Sequence, residues 1–219
     1  VNICADIWFR GSAEQARDAG AEVLLVLNAS PFHMHKQLER FGIARTRIAE
    51  SGLGLVYANT VGAQDELVFD GGSFAMGRDG QVTAQCPAFE EGLYFLELND
   101  GAARGELVEW PDADASAYQA LVVGVRDYVA KNGFPGAYIG LSGGIDSALT
   151  LCVAVDALGA DRVEAVMMPS QFTADISLVD AEALAANLGV RYDVQPIKSM
   201  YDSFITALSD EFDGLPFDL

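Results

Sequence analysis

A short apolar run, Ala137-Tyr138-Ile139-Gly140-Leu141, leads into Ser142-Gly143-Gly144-Ile145-Asp146-Ser147, and a helix-periodic stretch follows at once. That stretch carries Leu149, Leu151, Cys152, Val155 and Leu158 and stops at Gly159, so the spacing predicts a helix from near Ala148. A strand joined to a helix through two glycines lets backbone N–H groups approach an anion. The helix N-terminus adds unpaired donors and the positive end of its dipole, and the serines add hydroxyls. This context suits a polyphosphate. Asp146 is the odd member, because a carboxylate repels phosphate; its use there is to hold a Mg²⁺ that bridges to the phosphate oxygens. No Gly-Lys-Ser/Thr triplet follows, which excludes a Walker-type loop. For a bare Gly-Gly pair the alternative is a turn that only lets strand and helix pack closely.

The segment around this loop repeats one pattern. Tyr118, Leu121, Val122, Val125 and Val129 mark a helix, and strands are expected at 137–141, 163–168 and 191–197 with helices between them. Strands separated by helices of this length imply right-handed crossovers and a parallel sheet, with ligands at the strand C-terminal ends. Ser142 and Met168-Pro169-Ser170 both fall at that edge.

Residues 1–98 read differently. Strands are expected at 1–7, 22–28, 54–59, 66–69, 73–76 and 82–85, with a further one at 93–98, and helices near 12–19 and 33–51. Ser12 and Gln15 have capping-box spacing, and Asp79-Gly80 has hairpin-turn chemistry. Residues 99–114 hold Gly101, Gly105, Pro111 and several Asp and Ala without sustained periodicity, which places a linker there and a second domain at 115–219.

The net charge of −19 argues against a nucleic-acid surface. Residues 110–219 carry 5 basic against 16 acidic side chains, so a phosphate site there must rest on backbone donors and a cation, or on cationic groups outside this sequence. No apolar run approaches membrane-span length and no signal peptide is visible. Three scattered cysteines suit neither a disulfide scaffold nor a zinc site, and the expected compartment is the cytoplasm. Cys86 and Cys152 read as packing residues. His33 and His35 are two apart, so on a helix they face apart and make a poor metal pair.

The hexapeptide 142–147 resembles the signature of the ATP pyrophosphatase family, which splits ATP into AMP and pyrophosphate to activate a carboxylate or carbonyl oxygen. Upstream, Ile3-Cys4-Ala5-Asp6-Ile7-Trp8 followed by Asn28-Ala29-Ser30-Pro31-Phe32 is similar to the nitrilase superfamily, whose nucleophilic Cys sits on such a turn. The run Tyr57 to Ser73 resembles nitrilase-type glutaminase domains of glutamine-dependent NAD synthetases, and the order of the two parts is identified with that family. The implied fold is α/β: a partial nitrilase-like α-β-β-α sandwich, then a partial Rossmann-like ATP pyrophosphatase domain.

The resemblance also implies roles. Cys4 is the nucleophile, and Trp8, Ser30 and Lys36 contact glutamine, with Lys36 six positions after Ser30; a solvated helix-face charge is the other reading of Lys36. Gly140, Leu141, Ser142, Gly143, Gly144, Ile145, Asp146, Ser147, Met168, Pro169 and Ser170 contact ATP, and Asp146 holds Mg²⁺. The implied reaction amidates deamido-NAD to NAD in a homo-oligomer, without nucleic acid or membrane. Another ATP-dependent amidating ligase, or a non-catalytic nucleotide-binding remnant, stay open. The family's base Glu and oxyanion Lys precede the Cys, whereas only Val1-Asn2-Ile3 do so here, and Ala5 stands where similar enzymes carry Glu. The chain also begins without Met and ends at Pro216-Phe217-Asp218-Leu219, which leads to the expectation of a piece truncated at both ends.

Overall fold

The computed structural model describes residues 1–211 and 213, so Pro216–Leu219 lie outside the described residues. Two compact units divide the chain, Val1–Lys131 and Asn132–Leu219.

In the first unit a five-stranded sheet has the order β1-β2-β3-β6-β7, from β1 (Asn2–Ile3), β2 (Val23–Asn28), β3 (Gly54–Asn59), β6 (Phe74–Met76) and β7 (Val82–Gln85). β1, β2 and β3 run parallel and the last two pairings are antiparallel. β2 is apolar from Val23 to Leu27, but its residues alternate between two environments. Leu24 and Val26 are buried on the side of α1 (Ser12–Asp18) and α2 (Lys36–Ser51), with Ile48, Leu55 and Tyr57, whereas Leu25 and Leu27 are exposed. The α2 residues buried on that side, Gln37, Arg40, Ala44, Arg47, Ile48 and Ser51, follow helical spacing.

Several expectations are corrected here. The strand expected at 1–7 ends at Ile3, because Cys4 turns the backbone into the left-handed region at φ 48° and Cys4–Ile7 winds as a 3-10 turn. The Ser12/Gln15 capping box does not form. Ser12 is the first helical residue after Gly11, and its hydroxyl donates instead to the Asp6 carbonyl. The helix expected from 33 begins at Lys36, preceded by His35 in the left-handed region. A strand absent from the sequence reading, β4 (Val61–Gln64), pairs with β5 (Leu67–Asp70). The strand expected at 93–98 lies later, as β8 (Glu97–Asn99) paired with β9 (Ala102–Arg104), and Leu93 and Phe95 are exposed.

α3 (Ala113–Lys131), expected as the first helix of the second domain, belongs by its contacts to the first unit. Ala120 and Val123 pack with Ala63, Val68 and Phe89 of the β4–β5 region. Asp127 Oδ2 accepts the Ala63 N–H at 2.7 Å, and Lys131 Nζ donates to the Ala63 carbonyl.

The second unit has the predicted alternation. β10 (Ala137–Gly140), β11 (Val163–Met167) and β12 (Arg191–Val194) form a parallel sheet in sequence order, joined through α4 (Ile145–Leu158) and α5 (Asp175–Leu188). Val163, Ala165 and Met167 meet Leu151 and Ala154 of α4 and Ala181 and Ala185 of α5 in one core. α6 (Lys198–Ala207) follows β12 and has no buried residue. Among the described residues no helix is long and apolar enough to cross a membrane.

Candidate functional sites

In the first unit the chemistry gathers at the C-terminal edge of the three parallel strands. β1 aligns Ile3 with Leu27 and β2 aligns Asn28 with Asn59, so Cys4, Ser30 and Asn59 leave the sheet at the same edge. The turn that carries Cys4 is held by side chains. The Ile3 N–H donates to Asp6 Oδ2 at 2.9 Å, and Asn2 Nδ2 donates to Ser12 Oγ at 2.8 Å. A left-handed, non-glycine Cys persists only where its surroundings over-determine it, and such strain clusters at functional turns. The Cys4 thiol is exposed.

Trp8 closes the same turn, and Lys36 Nζ lies 4.5 Å from the centre of its ring. Lys36 also binds Glu39 Oε2 at 2.9 Å, and that hydrogen bond is the main reason the Glu39 carboxyl sits below its usual range. Lys36 is therefore neither a free surface charge nor distant from the Cys4 turn. His33 Nε2 lies 3.4 Å from Glu39 Oε1, and its Nδ1 lies 2.8 Å from the Met34 carbonyl; among the described residues no group of three or more His, Cys, Asp or Glu is placed to hold a metal ion.

Ser30 is buried. Its N–H donates to Asn59 Oδ1 at 2.8 Å, its carbonyl accepts Arg40 Nη2 at 2.7 Å, and its hydroxyl accepts Arg40 Nε at 3.2 Å. Arg40 completes its donors with a fork on Asp70, at 2.7 and 2.9 Å, and with Gln37 Oε1 at 3.1 Å. Tyr57 Oη is buried beside the Ser30 hydroxyl without a hydrogen-bond partner of good geometry among the described residues, and burial pushes the phenol's pKa up. Sequence reasoning missed Arg40, Tyr57, Asn59 and Asp70 as site residues. The available signal was an arginine in register with the apolar stripe of a helix.

In the second unit the loop 141–147 is built from backbone and hydroxyls. The Leu141 N–H donates to Val166 O at 2.9 Å, continuing the β10–β11 ladder. The Ser142 N–H donates to Ser147 Oγ at 3.1 Å, Ser147 Oγ donates to Gly144 O at 3.0 Å, and the two serine hydroxyls are 3.0 Å apart. Gly143 has φ +80°, and a Cβ there would lie 2.4 Å from Ser177 O. Both facts require glycine. α4 starts at Ile145, three residues before the expected Ala148, because Gly144 is already the extended N-cap residue; no side chain caps the helix, so its first-turn N–H groups stay available. Asp146 is exposed in that first turn. Mg²⁺ commonly takes one or two carboxylates plus phosphate oxygens and water, and this single carboxylate beside the loop fits that donor set.

The other residues expected around a nucleotide flank the same edge. Gly140 ends β10, where a Cβ would lie 3.5 Å from the Met168 methyl, and Met168 is half exposed just past β11. Pro169 O accepts the Ile197 N–H at 3.0 Å, and Ser170 Oγ accepts the Phe172 N–H at 3.1 Å.

Residues 1–104 match the carbon-nitrogen hydrolase family model and residues 117–216 the NAD synthase model. The glutamine-dependent NAD(+) synthetase of Acinetobacter baylyi is 42% identical over 100% of this chain, which covers 41% of that protein. That of Rhodobacter capsulatus is 45% identical over 90% of the chain, covering 37% of it. The chain thus spans about two fifths of the length of the curated relatives it matches. A glutamine-dependent NAD+ synthetase from Acinetobacter baumannii, solved in complex with adenosine diphosphate, superposes with a TM-score of 0.92 and 42% identity over 99% of this chain and 42% of its own. One from Cytophaga hutchinsonii shares the fold at a TM-score of 0.74 and 17% identity, over 97% of this chain and 40% of its own. With a hydrolase segment that ends before a synthase segment begins, and relatives that match across both, the chain belongs to the glutamine-dependent NAD synthetase family.

Proposed function

We propose that the natural protein carrying this chain amidates deamido-NAD to NAD, using ATP and ammonia released from glutamine. The observation that carries this reading is the pairing of a strained, exposed Cys at a parallel-sheet edge with a glycine loop opening an uncapped helix in the following unit. The family assignment supports it, as does the ADP held by the Acinetobacter baumannii relative.

The chemistry divides between the two sites. At the first, the Cys4 thiolate attacks the side-chain amide carbon of glutamine, ammonia leaves, and water hydrolyses the thioester to glutamate. Lys36 and Ser30 grip the glutamine carboxylate, and Trp8 orients the Lys36 ammonium through its ring face. At the second, a nicotinate carboxylate has no leaving group. Its oxygen attacks the α-phosphorus of ATP, pyrophosphate departs, and ammonia displaces AMP from the adenylate to form the amide. The N–H groups around Gly143 and Gly144 and the Ser142 and Ser147 hydroxyls hold the phosphates, and Met168, Pro169 and Ser170 border the adenosine. Asp146 would hold Mg²⁺, which when bound offsets charge on the departing pyrophosphate. Homo-oligomerisation and a cytoplasmic site belong to the same reading.

Asp146→Asn in the natural protein is the test. Amidation should be lost with glutamine and with free ammonium alike, while glutamine hydrolysis persists. A variant that keeps ammonium-dependent amidation overturns the role given to Asp146.

A further inference from the structure

Arg40 and Asp70 are each about 1% exposed, and they form a salt bridge with no solvent to share its cost. A buried ion pair is a weak source of stability, since desolvating both groups offsets most of their attraction. This one nevertheless uses every donor that the arginine has. Nη1 and Nη2 fork onto the two Asp70 oxygens, Nη1 reaches Gln37 Oε1, Nη2 reaches Ser30 O, and Nε reaches Ser30 Oγ. Asn59 works on the same residue from β3. Its Oδ1 accepts the Ser30 N–H, and its Nδ2 donates to Ser30 O at 3.3 Å, to Gly71 O at 3.1 Å and to Asp70 Oδ1 at 3.4 Å. Every polar atom of Ser30 is held, two of them by Arg40.

The direction of the hydroxyl bond matters most. A guanidinium has donors only, so in the Arg40–Ser30 contact the Ser30 oxygen accepts and its proton points elsewhere. Among the described residues no carbonyl or carboxylate takes that proton; its polar neighbour is Tyr57 Oη, which makes no hydrogen bond of standard geometry but feels the Ser30 hydroxyl closely enough that the contact works against the burial-raised pKa of the phenol. A serine fixed in this sense can only donate on its other side, to Tyr57 Oη in the free site and to an acceptor-only group such as a carboxylate when one enters.

We propose that the buried Arg40–Asp70 pair is the positioning device of the glutamine site: Asp70 orients Arg40, and Arg40 fixes the Ser30 loop and the polarity of its hydroxyl so that Ser30 donates to the substrate carboxylate. This rests on the reading of Ser30 as a glutamine contact. Neither Arg40 nor Asp70 touches substrate, so the effect reaches binding through Ser30 and leaves the attack of Cys4 on the amide largely alone.

The experiment measures glutamate release against glutamine concentration in the natural protein for Ser30→Ala, for the double exchange Arg40→Gln with Asp70→Asn, and for all three together. The double exchange removes both charges, so no orphan ion stays buried. Folding is followed by thermal melting and by the rate of Cys4 alkylation with iodoacetamide. We expect the glutamine KM to rise about tenfold or more in the double variant with kcat within about threefold. The triple variant should be no worse than Ser30→Ala, because the pair acts through that residue. An unchanged KM in a folded double variant, or a KM effect that adds in full to that of Ser30→Ala, overturns the proposal. If the double variant does not fold, Arg40→Lys decides: it keeps the charge opposite Asp70, but three donors on one nitrogen cannot replace the five bonds to Asp70, Gln37 and the two Ser30 oxygens, so KM should rise, and an unchanged KM overturns the proposal. A normal KM in Ser30→Ala alone would overturn the reading of Ser30 itself, and the positioning role with it.

Discussion

The two candidate sites solve the problem of presenting polar groups in opposite ways. The Cys4 edge is assembled from side chains far apart in sequence, with Arg40 and Asp70 anchoring Ser30 and with Asn2, Asp6 and Ser12 pinning the Cys4 turn. The loop at 141–147 is assembled from neighbours in sequence, mainly backbone, with two serine hydroxyls that bond to each other. The first should therefore fail when a side chain is removed. The second should fail when a side chain is added.

The largest effect tests the first half of that contrast. Cys4→Ala in the natural protein removes the atom that forms the acyl-enzyme, and glutamine-dependent NAD formation should fall by about 10³-fold or more. Ammonium-dependent formation should survive, because the loop in the second unit is untouched. Loss of both activities together would break the division of labour between the sites.

Next in size is Arg40→Met, which leaves the Asp70 carboxylate buried without its partner. Removing one member of such a pair costs about 3–5 kcal/mol, so the melting temperature of the chain should fall by many degrees. Ser142→Ala is the matched exchange in the loop. Its hydroxyl bonds lie at an exposed site, and the same melt should move by less than about 1 kcal/mol. Equal losses for the two would abolish the distinction between a side-chain-built and a backbone-built site.

Gly143→Ala addresses the loop directly. The positive φ costs the alanine about 1 kcal/mol or more, and the added Cβ must displace the Ser177 backbone of α5. Titration of Mg·ATP should then show affinity weakened by at least about tenfold relative to the unsubstituted protein. Unchanged affinity would mean that the loop is not the phosphate cradle.

The same contrast explains what could be read from the sequence. A strand, two glycines and a helix in one contiguous stretch marked the second candidate site, and there the structure moved the helix start, since Gly144 was already its N-cap. The alternation of strands and helices after residue 137 was legible because each element has its own apolar period. At the first site the Cys4 and Ser30 turns, Trp8, Lys36 and the run from Tyr57 to Ser73 stood out, but no role was read for Tyr57, Asn59 or Asp70 within that run. Arg40 and Asp70 are thirty residues apart, and the one local sign, an arginine in register with the apolar stripe of α2, does not name its partner. β4 was missed for a related reason. Val61-Gly62-Ala63-Gln64 has weak strand character, with Gly62 at φ +131°, and owes its place to the β5 strand beside it and to α3. The apparent strand at 1–7 misled because Ile7 is buried through a 3-10 turn and not through a pleat.

The smallest effect concerns how α3 is fixed to the first unit. Asp127 accepts the Ala63 N–H at 2.7 Å and lies 3.2 Å from Arg126 Nε and 3.5 Å from Lys131 Nζ. Burial works against its charge, yet the Ala63 N–H and these two cations together hold the carboxyl below its ordinary value of 3.8. A carboxyl whose folded pKa is depressed binds fewer protons folded than unfolded. Its contribution is therefore complete above the unfolded pKa and is lost as pH falls through the folded one. Asp127→Asn should lower stability by about 1 kcal/mol at pH 7, because the uncharged amide loses the charge-assisted part of the Ala63 bond. The difference between parent and variant should narrow steadily as pH falls below about 4. Paired thermal melts at pH 7 and across that acid range measure it. A gap that stays constant into acid would assign the loss to packing instead of charge, and would remove the Asp127 charge from what docks α3, beside the Ala120 and Val123 contacts.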